Sequence, residues 1–185
     1  MNARTTINLS TDRGKPRRRS YFCSMYDSLV IANFFIKKSL KTGVPVSPMK
    51  LLKLVYISHG WHLGIVKKPL VAEACQAWKY GPVFERVYHR FKHFGASPIT
   101  QYADINSDFQ ISGREVVPPS KEARELLEAV WEAYSVFSGI ELSALTHQKG
   151  TPWYSTFHSK GEGSIIAEDD IMEYYEQRAS AGDGA

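Results

Sequence analysis

The chain has 185 residues, 43% of them hydrophobic and 12% aromatic, enough to bury a sizeable core without disulfides. No apolar run approaches the roughly 20 residues that span a bilayer, and the N-terminus lacks an apolar signal core, so a cytoplasmic protein without membrane contact is expected. The net charge of +4 is unevenly placed: residues 1–22 carry six basic residues against Asp12, a net of +5, while the rest carries 17 basic and 18 acidic residues, a net of −1.

Residues 1–24 therefore read as a basic, flexible arm with few apolar anchors. Its RGKPRRRS run is also a candidate for contact with nucleic acid or an acidic partner, the lesser reading. Met25, where the globular pattern begins, is an alternative start. The two cysteines, Cys23 and Cys75, stand in no metal or redox spacing, which predicts reduced thiols.

In chain order, DSLVIANFFIKKSLKTG predicts a first helix with Asp27 as N-cap and Gly43 as its stop. Ser47-Pro48, a cap followed by a first-turn proline, opens a second helix through MKLLKLVYISHGWHLGIV. It is apolar on nearly every side except a thin strip at Lys50, Lys53 and Gly60, so it belongs at the centre of the fold. Gly64 and the KKP at 67–69 break that pattern, and LVAEACQAW is too short and alternating for a helix, so an extended segment follows. Gly81-Pro82 is expected to start the third helix, with an apolar stripe of Phe84, Val87, Tyr88, Phe91 and Phe94 and an end at Gly95. Residues 96–119 read as a loop with a short strand near FQI or EVV. Ser120 caps a long helix whose inner face is Ala123, Leu126, Leu127, Val130, Tyr134 and Phe137. Ser138 and Glu141 form a capping box for a shorter helix ending near Gly150. The acidic run at 168–170 opens the last helix. The expectation is a mainly α, compact domain of about six helices, with a small β-hairpin or extended element between the second and third.

Three histidine arrangements invite chemical readings. His59 and His62 have a spacing that can present two metal ligands, but they share the second helix's core face with Leu52, Val55 and Tyr56. Core histidines with satisfied ring nitrogens are the preferred reading. Glu85, His89 and His93 form a stripe on the third helix that could hold zinc or iron. Arg86, Arg90 and Lys92 share that surface and would repel a cation, so an ion-paired helix face is preferred and no metal is expected. Thr146 and His147 resemble a nucleophile and its base, but helix neighbours point about 100° apart. His147 instead suits a local cap. No nucleophile elbow, phosphate loop or catalytic cysteine motif occurs. No catalytic residue, metal ligand or cofactor is assigned, and a non-enzymatic protein is expected.

Taken in order, LLKLVYISHGWHLGIVKKPL, EACQAWKYGPVFERVYHRFKHFG and ELSALTHQKGTPW resemble the SocA-like Panacea domain, an antitoxin domain of prophage and bacterial toxin–antitoxin pairs. The resemblance runs from about Ser47 to Trp153. It implies a mostly helical domain at 25–178, between the arm at 1–24 and a frayed tail at 179–185. It also implies neutralisation of a cognate protein toxin by direct binding, with no cofactor. A member of the family serves as an adaptor that delivers its toxin to a Clp-type protease, which makes that protease an alternative partner. Within the motifs, Trp78, Tyr80, Gly81, Pro82, Thr146, His147, Pro152 and Trp153 stand out as signature positions, and Arg86 and Arg90 as candidates for partner contact. Trp78, Tyr80, Gly81 and Pro82 are expected to form a structural corner, its aromatics packing the extended segment onto the helices and Pro82 setting the first helical turn. For Trp78 and Trp153, core packing is preferred over direct partner contact. The competing classes are a DNA-binding autoregulator using the arm and a metal- or nucleotide-dependent enzyme resting only on the histidines.

Overall fold

The computed structural model describes residues 25–104 and 119–182. Its elements are α1 (Ser28–Thr42), α2 (Pro48–Val66), β1 (Gln76–Trp78), β2 (Gly81–Val83), α3 (Glu85–Phe91, continued by a 3-10 turn Lys92–Phe94), α4 (Lys121–Tyr134), α5 (Gly139–Thr146), α6 (Pro152–Lys160), β3 (Ser164–Ile165) and α7 (Glu168–Gly182). The chain is thus mainly helical, with seven helices among the described residues. The strands suggested near FQI and EVV, like the arm at 1–24, lie outside the described residues.

Local chemistry sets the helix starts. The Asp27 side chain accepts from Leu29 N–H, that of Ser47 from Lys50 N–H and that of Ser120 from Ala123 N–H. Ser138 and Glu141 form a reciprocal capping box. Gly43 ends α1 in the left-handed conformation. One helix beyond the expected six, α6, escaped the sequence pattern although Thr151-Pro152 repeats the cap-plus-proline start of Ser47-Pro48. At the other end, α7 continues to Gly182, past the expected domain limit at 178, through alanine-containing turns that favour helix.

α2 is the axis of the fold, packed by α7, α5, α4 and α1. Its supposed polar strip is buried as well: Lys50 and Lys53 are both in the interior. Lys50 Nζ donates to Ser135 O at 2.6 Å, just past the C-terminus of α4, where a cation meets the negative end of the helix dipole. Gly64 does not break α2. The helix runs through it to Val66, because a missing side chain there admits the backbone of Tyr175 from α7. The surrounding core includes Phe35, Trp61, Phe84, Phe91 and Leu127. Trp61 Nε1 donates to the Tyr134 hydroxyl, tying α2 to α4.

The extended segment after α2 is real. Tyr26 bridges Val71, and β1 pairs antiparallel with β2 through the two-residue turn Lys79-Tyr80. A third strand, β3, pairs on the other edge of β1, giving the order β2-β1-β3. Gly81-Pro82 belongs to β2 and does not start α3. Phe84 is the N-cap position, and the first helical residue is Glu85. Pro82 is accommodated because β2 is an edge strand, where a missing N–H costs no ladder bond.

Candidate functional site

Two of the signature segments, 73–95 and 141–153, meet over a charged side chain in the core that belongs to the third, at 51–70. Lys53 is 1% exposed, and its Nζ donates to Pro82 O at 3.2 Å. Gly81 sits directly above the amine with φ +109, and a Cβ there would run into Lys53 Nζ while lying 3.1 Å from Thr146 Oγ1. Glycine is required twice, by the backbone angle and by the space. Burial pulls the Lys53 amine down to about 7, and burial pushes the neighbouring Cys75 thiol up to about 12.

Main-chain groups of the hairpin are then captured by α5 and α6. Ser143 Oγ donates to Tyr80 O at 3.0 Å, and Trp153 Nε1 donates to Trp78 O at 2.9 Å. Thr151, the N-cap of α6, donates to Thr146 O at 2.7 Å and accepts from Tyr154 N–H, which turns the chain sharply between α5 and α6. The His147 ring stacks on Trp153 at 3.8 Å between centroids, and Trp153 in turn stacks on Phe157 at 4.8 Å. Burial, reinforced by the positive charge of Lys53, lowers the His147 pKa and favours the neutral ring.

Eight of the ten singled-out residues are thereby gathered at one corner: Trp78, Tyr80, Gly81, Pro82, Thr146, His147, Pro152 and Trp153. Trp153 is buried, and Trp78 is half-buried with Tyr88 edge-on at 4.8 Å. Tyr80 does not pack the corner together; at the tip of the turn it is 63% exposed. Thr146 Oγ1 donates to Ser143 O and makes no pair with the His147 ring. His147 occupies the C-cap position of α5.

Arg86 and Arg90 lie apart on α3. Arg86 is not a free outer-face cation: its Nη1 is 2.9 Å from Oδ2 of the buried Asp27. The expected His89 and Glu85 surface pair is present at 3.3 Å. His59 and His62 are core histidines, the first accepting from Val71 N–H and the second 2.6 Å from Lys68 O. Among the described residues no three His, Cys, Asp or Glu side chains converge as a metal site, and no helix is long and apolar enough to cross a membrane.

Sequence reasoning missed Lys53, Ser143 and Thr151, the residues that fasten the corner. It also missed a cavity of about 500 Å³ beside the corner, walled by α2, the hairpin turn and α3. Met49 and Leu52 line it from α2, Trp78 and Tyr80 from the hairpin, and Tyr88 from α3. Lysines in a helix apolar on nearly every side were the available signal, since an amine buried there must find an acceptor.

Residues 51–154 match the family described as antitoxin SocA-like, Panacea domain. The chain is also 33% identical over 130 residues to antitoxin SocA of Caulobacter vibrioides (strain NA1000 / CB15N), an alignment covering 69% of this chain and 68% of that protein. No solved structure matches it. With more than half its length matched by the family and its signature segments folded together around Lys53, the chain belongs to the SocA-like Panacea domain family of antitoxins.

Proposed function

We propose that this protein is an antitoxin that neutralises a cognate protein toxin by direct, non-enzymatic binding in the cytoplasm, with residues 25–178 as the acting domain. The observation that carries the reading is the corner itself. Its two-residue turn, Lys79-Tyr80, is held from beneath by Lys53, Ser143 and Trp153, yet its outer side chains stay in solvent. A rigid scaffold presenting exposed aromatic and cationic groups is what a binding surface needs, because little ordering entropy is lost on association. The antitoxin role of the relative in Caulobacter supports the same assignment.

Co-expression tests it. The product of the neighbouring gene should arrest growth when expressed alone, co-expression of this protein should restore growth, and the two should purify as a complex. An interface of roughly 1,600 Å² suffices for tight inhibition. Gly81→Val should abolish rescue, since its side chain would displace Lys53 and strain the turn. A neighbour that is harmless alone, or rescue without a complex, would reject the reading. Rescue without a complex that requires a Clp-type protease would establish the adaptor role instead.

A further inference from the structure

The cavity beside the signature corner has a consistent chemical character. Its floor is apolar, formed by Pro48, Met49, Leu52 and Val83. Its mouth carries two amines, each over an aromatic ring: Lys79 Nζ is 5.6 Å from the Tyr80 centroid and Lys92 Nζ is 5.8 Å from that of Tyr88. Among the described residues neither amine is ion-paired with a carboxylate; Lys92 Nζ instead approaches His89 Nδ1 at 3.3 Å. Lys53 also lines the cavity, but its buried amine is already taken by Pro82 O. Glu162, the acidic lining residue among those described, accepts from the main-chain N–H of Lys79 at 3.1 Å, which ties its carboxylate to the hairpin.

This concentration of positive charge is local, because the chain outside residues 1–22 has a net charge of −1. An apolar floor suits a large apolar side chain, and two exposed amines with no carboxylate partner among the described residues suit acidic groups beside it. We infer that the cavity receives a segment of the protein toxin in which a large apolar side chain, anchored on Met49 and Leu52, is flanked by acidic residues that face Lys79 and Lys92. The inference rests on the antitoxin reading for the identity of the partner, and its chemistry is testable apart from it. Lys79 and Lys92 are both exposed, so charge reversal there should leave the fold intact.

Isothermal titration with the peptides acetyl-Glu-Phe-Glu-amide, acetyl-Lys-Phe-Lys-amide and acetyl-Glu-Ala-Glu-amide tests the chemistry. The first should bind at least about tenfold more tightly than the other two, and the double variant Lys79→Glu/Lys92→Glu should lose that preference with an unchanged melting temperature. Equal affinities, or no binding of the Glu-Phe-Glu peptide, would overturn the inference. In the co-expression assay the same folded double variant should lose toxin rescue and co-purification. An intact complex with the double variant would also overturn it, placing the toxin elsewhere while leaving the antitoxin reading standing. Failure of the wild-type protein to rescue would reject the antitoxin reading, and the peptide titrations would still judge the cavity.

Discussion

Arg86 on α3 reaches Asp27 at the start of α1, with Nη1 2.9 Å from Oδ2. Asp27 is doing two things there, since its Oδ1 caps Leu29 N–H at 2.9 Å. Glu73 crowds the same helix end, accepting from Ser28 N–H and Ser28 Oγ. Its carboxyl is held above the usual range by burial and then by the Asp27 charge. The guanidinium is paired with Asp27 while a second acid, Glu73, sits at the same helix terminus. Arg86→Glu should cost on the order of 3 kcal/mol of stability, because it strands a buried carboxylate and adds a third. Arg90→Glu, with no such partner among the described residues, should leave the urea midpoint within error. Equal midpoints for the two variants would show the Asp27 pair to be dispensable.

The ease of reading the helix starts and the difficulty of reading Arg86 have one cause. Asp27, Ser47, Ser120 and Ser138 cap groups two or three residues away, so sequence spacing contains the whole interaction. Arg86 pairs across 59 positions, and Lys53 donates to a main-chain carbonyl 29 residues on, which no side-chain pattern encodes. α6 was hidden differently: YSTFHSK has no apolar period, and only Pro152, Trp153 and Thr156 of the helix are buried. Pro82 read as a helix start because φ near −65° suits both a first turn and an edge strand; the pairing of β1 decides for the strand. The corner was legible as a set of motifs, while the cavity beside it was not, because its walls come from α2, the hairpin and α3.

The approach of α7 to α2 gives the second prediction. A Cβ on Gly64 would lie 2.7 Å from the carbonyl carbon of Tyr175 and 2.8 Å from the nitrogen of Glu176. For a Cβ on Gly60 the nearest atoms are all in the Tyr175 ring. Each Gly→Ala change should destabilise by about 1–3 kcal/mol through overpacking. Adding Tyr175→Leu should recover part of the Gly60→Ala loss and none of the Gly64→Ala loss, since backbone cannot be trimmed. Thermal unfolding of the two double variants decides this, and equal recovery would refute the backbone contact.

A third prediction concerns acid. Burial, followed by the neighbouring His62, pulls the His59 imidazole down to about 3, and its neutral Nδ1 accepts from Val71 N–H. The unfolded ring titrates near 6.5. Between these values the unfolded chain takes up a proton that the folded chain refuses, so stability falls as pH drops from about 6.5 toward 3. His59→Gln keeps an acceptor for Val71 without titrating. At pH 4 the wild-type protein should have lost on the order of 2–3 kcal/mol more than the variant, relative to pH 7. Parallel acid denaturation curves would rule this out.

The fourth prediction turns on Lys53, whose amine holds the hairpin by its bond to Pro82 O. Burial lowers its pKa from 10.5 to about 7. Between pH 7 and 10.5 the unfolded lysine is protonated while the folded one is largely neutral, so stability contributed through this group rises with pH across that window. Below pH 7 the cost of the buried charge is fully present in the folded state. Lys53→Met removes the titration but leaves the Pro82 carbonyl unsatisfied, at about 1–3 kcal/mol. The absolute stabilities of the two proteins therefore mix opposing effects, and the pH slope separates them. From pH 7 to 10 the wild-type protein should gain on the order of 3 kcal/mol relative to the variant, read by urea denaturation at each pH. The variant should also bind the toxin less tightly at pH 7, because the turn bearing Tyr80 loses its anchor from beneath. Coincident pH slopes would mean that the amine remains charged within the fold, and unchanged toxin affinity would mean that Ser143 and Trp153 hold the hairpin without it.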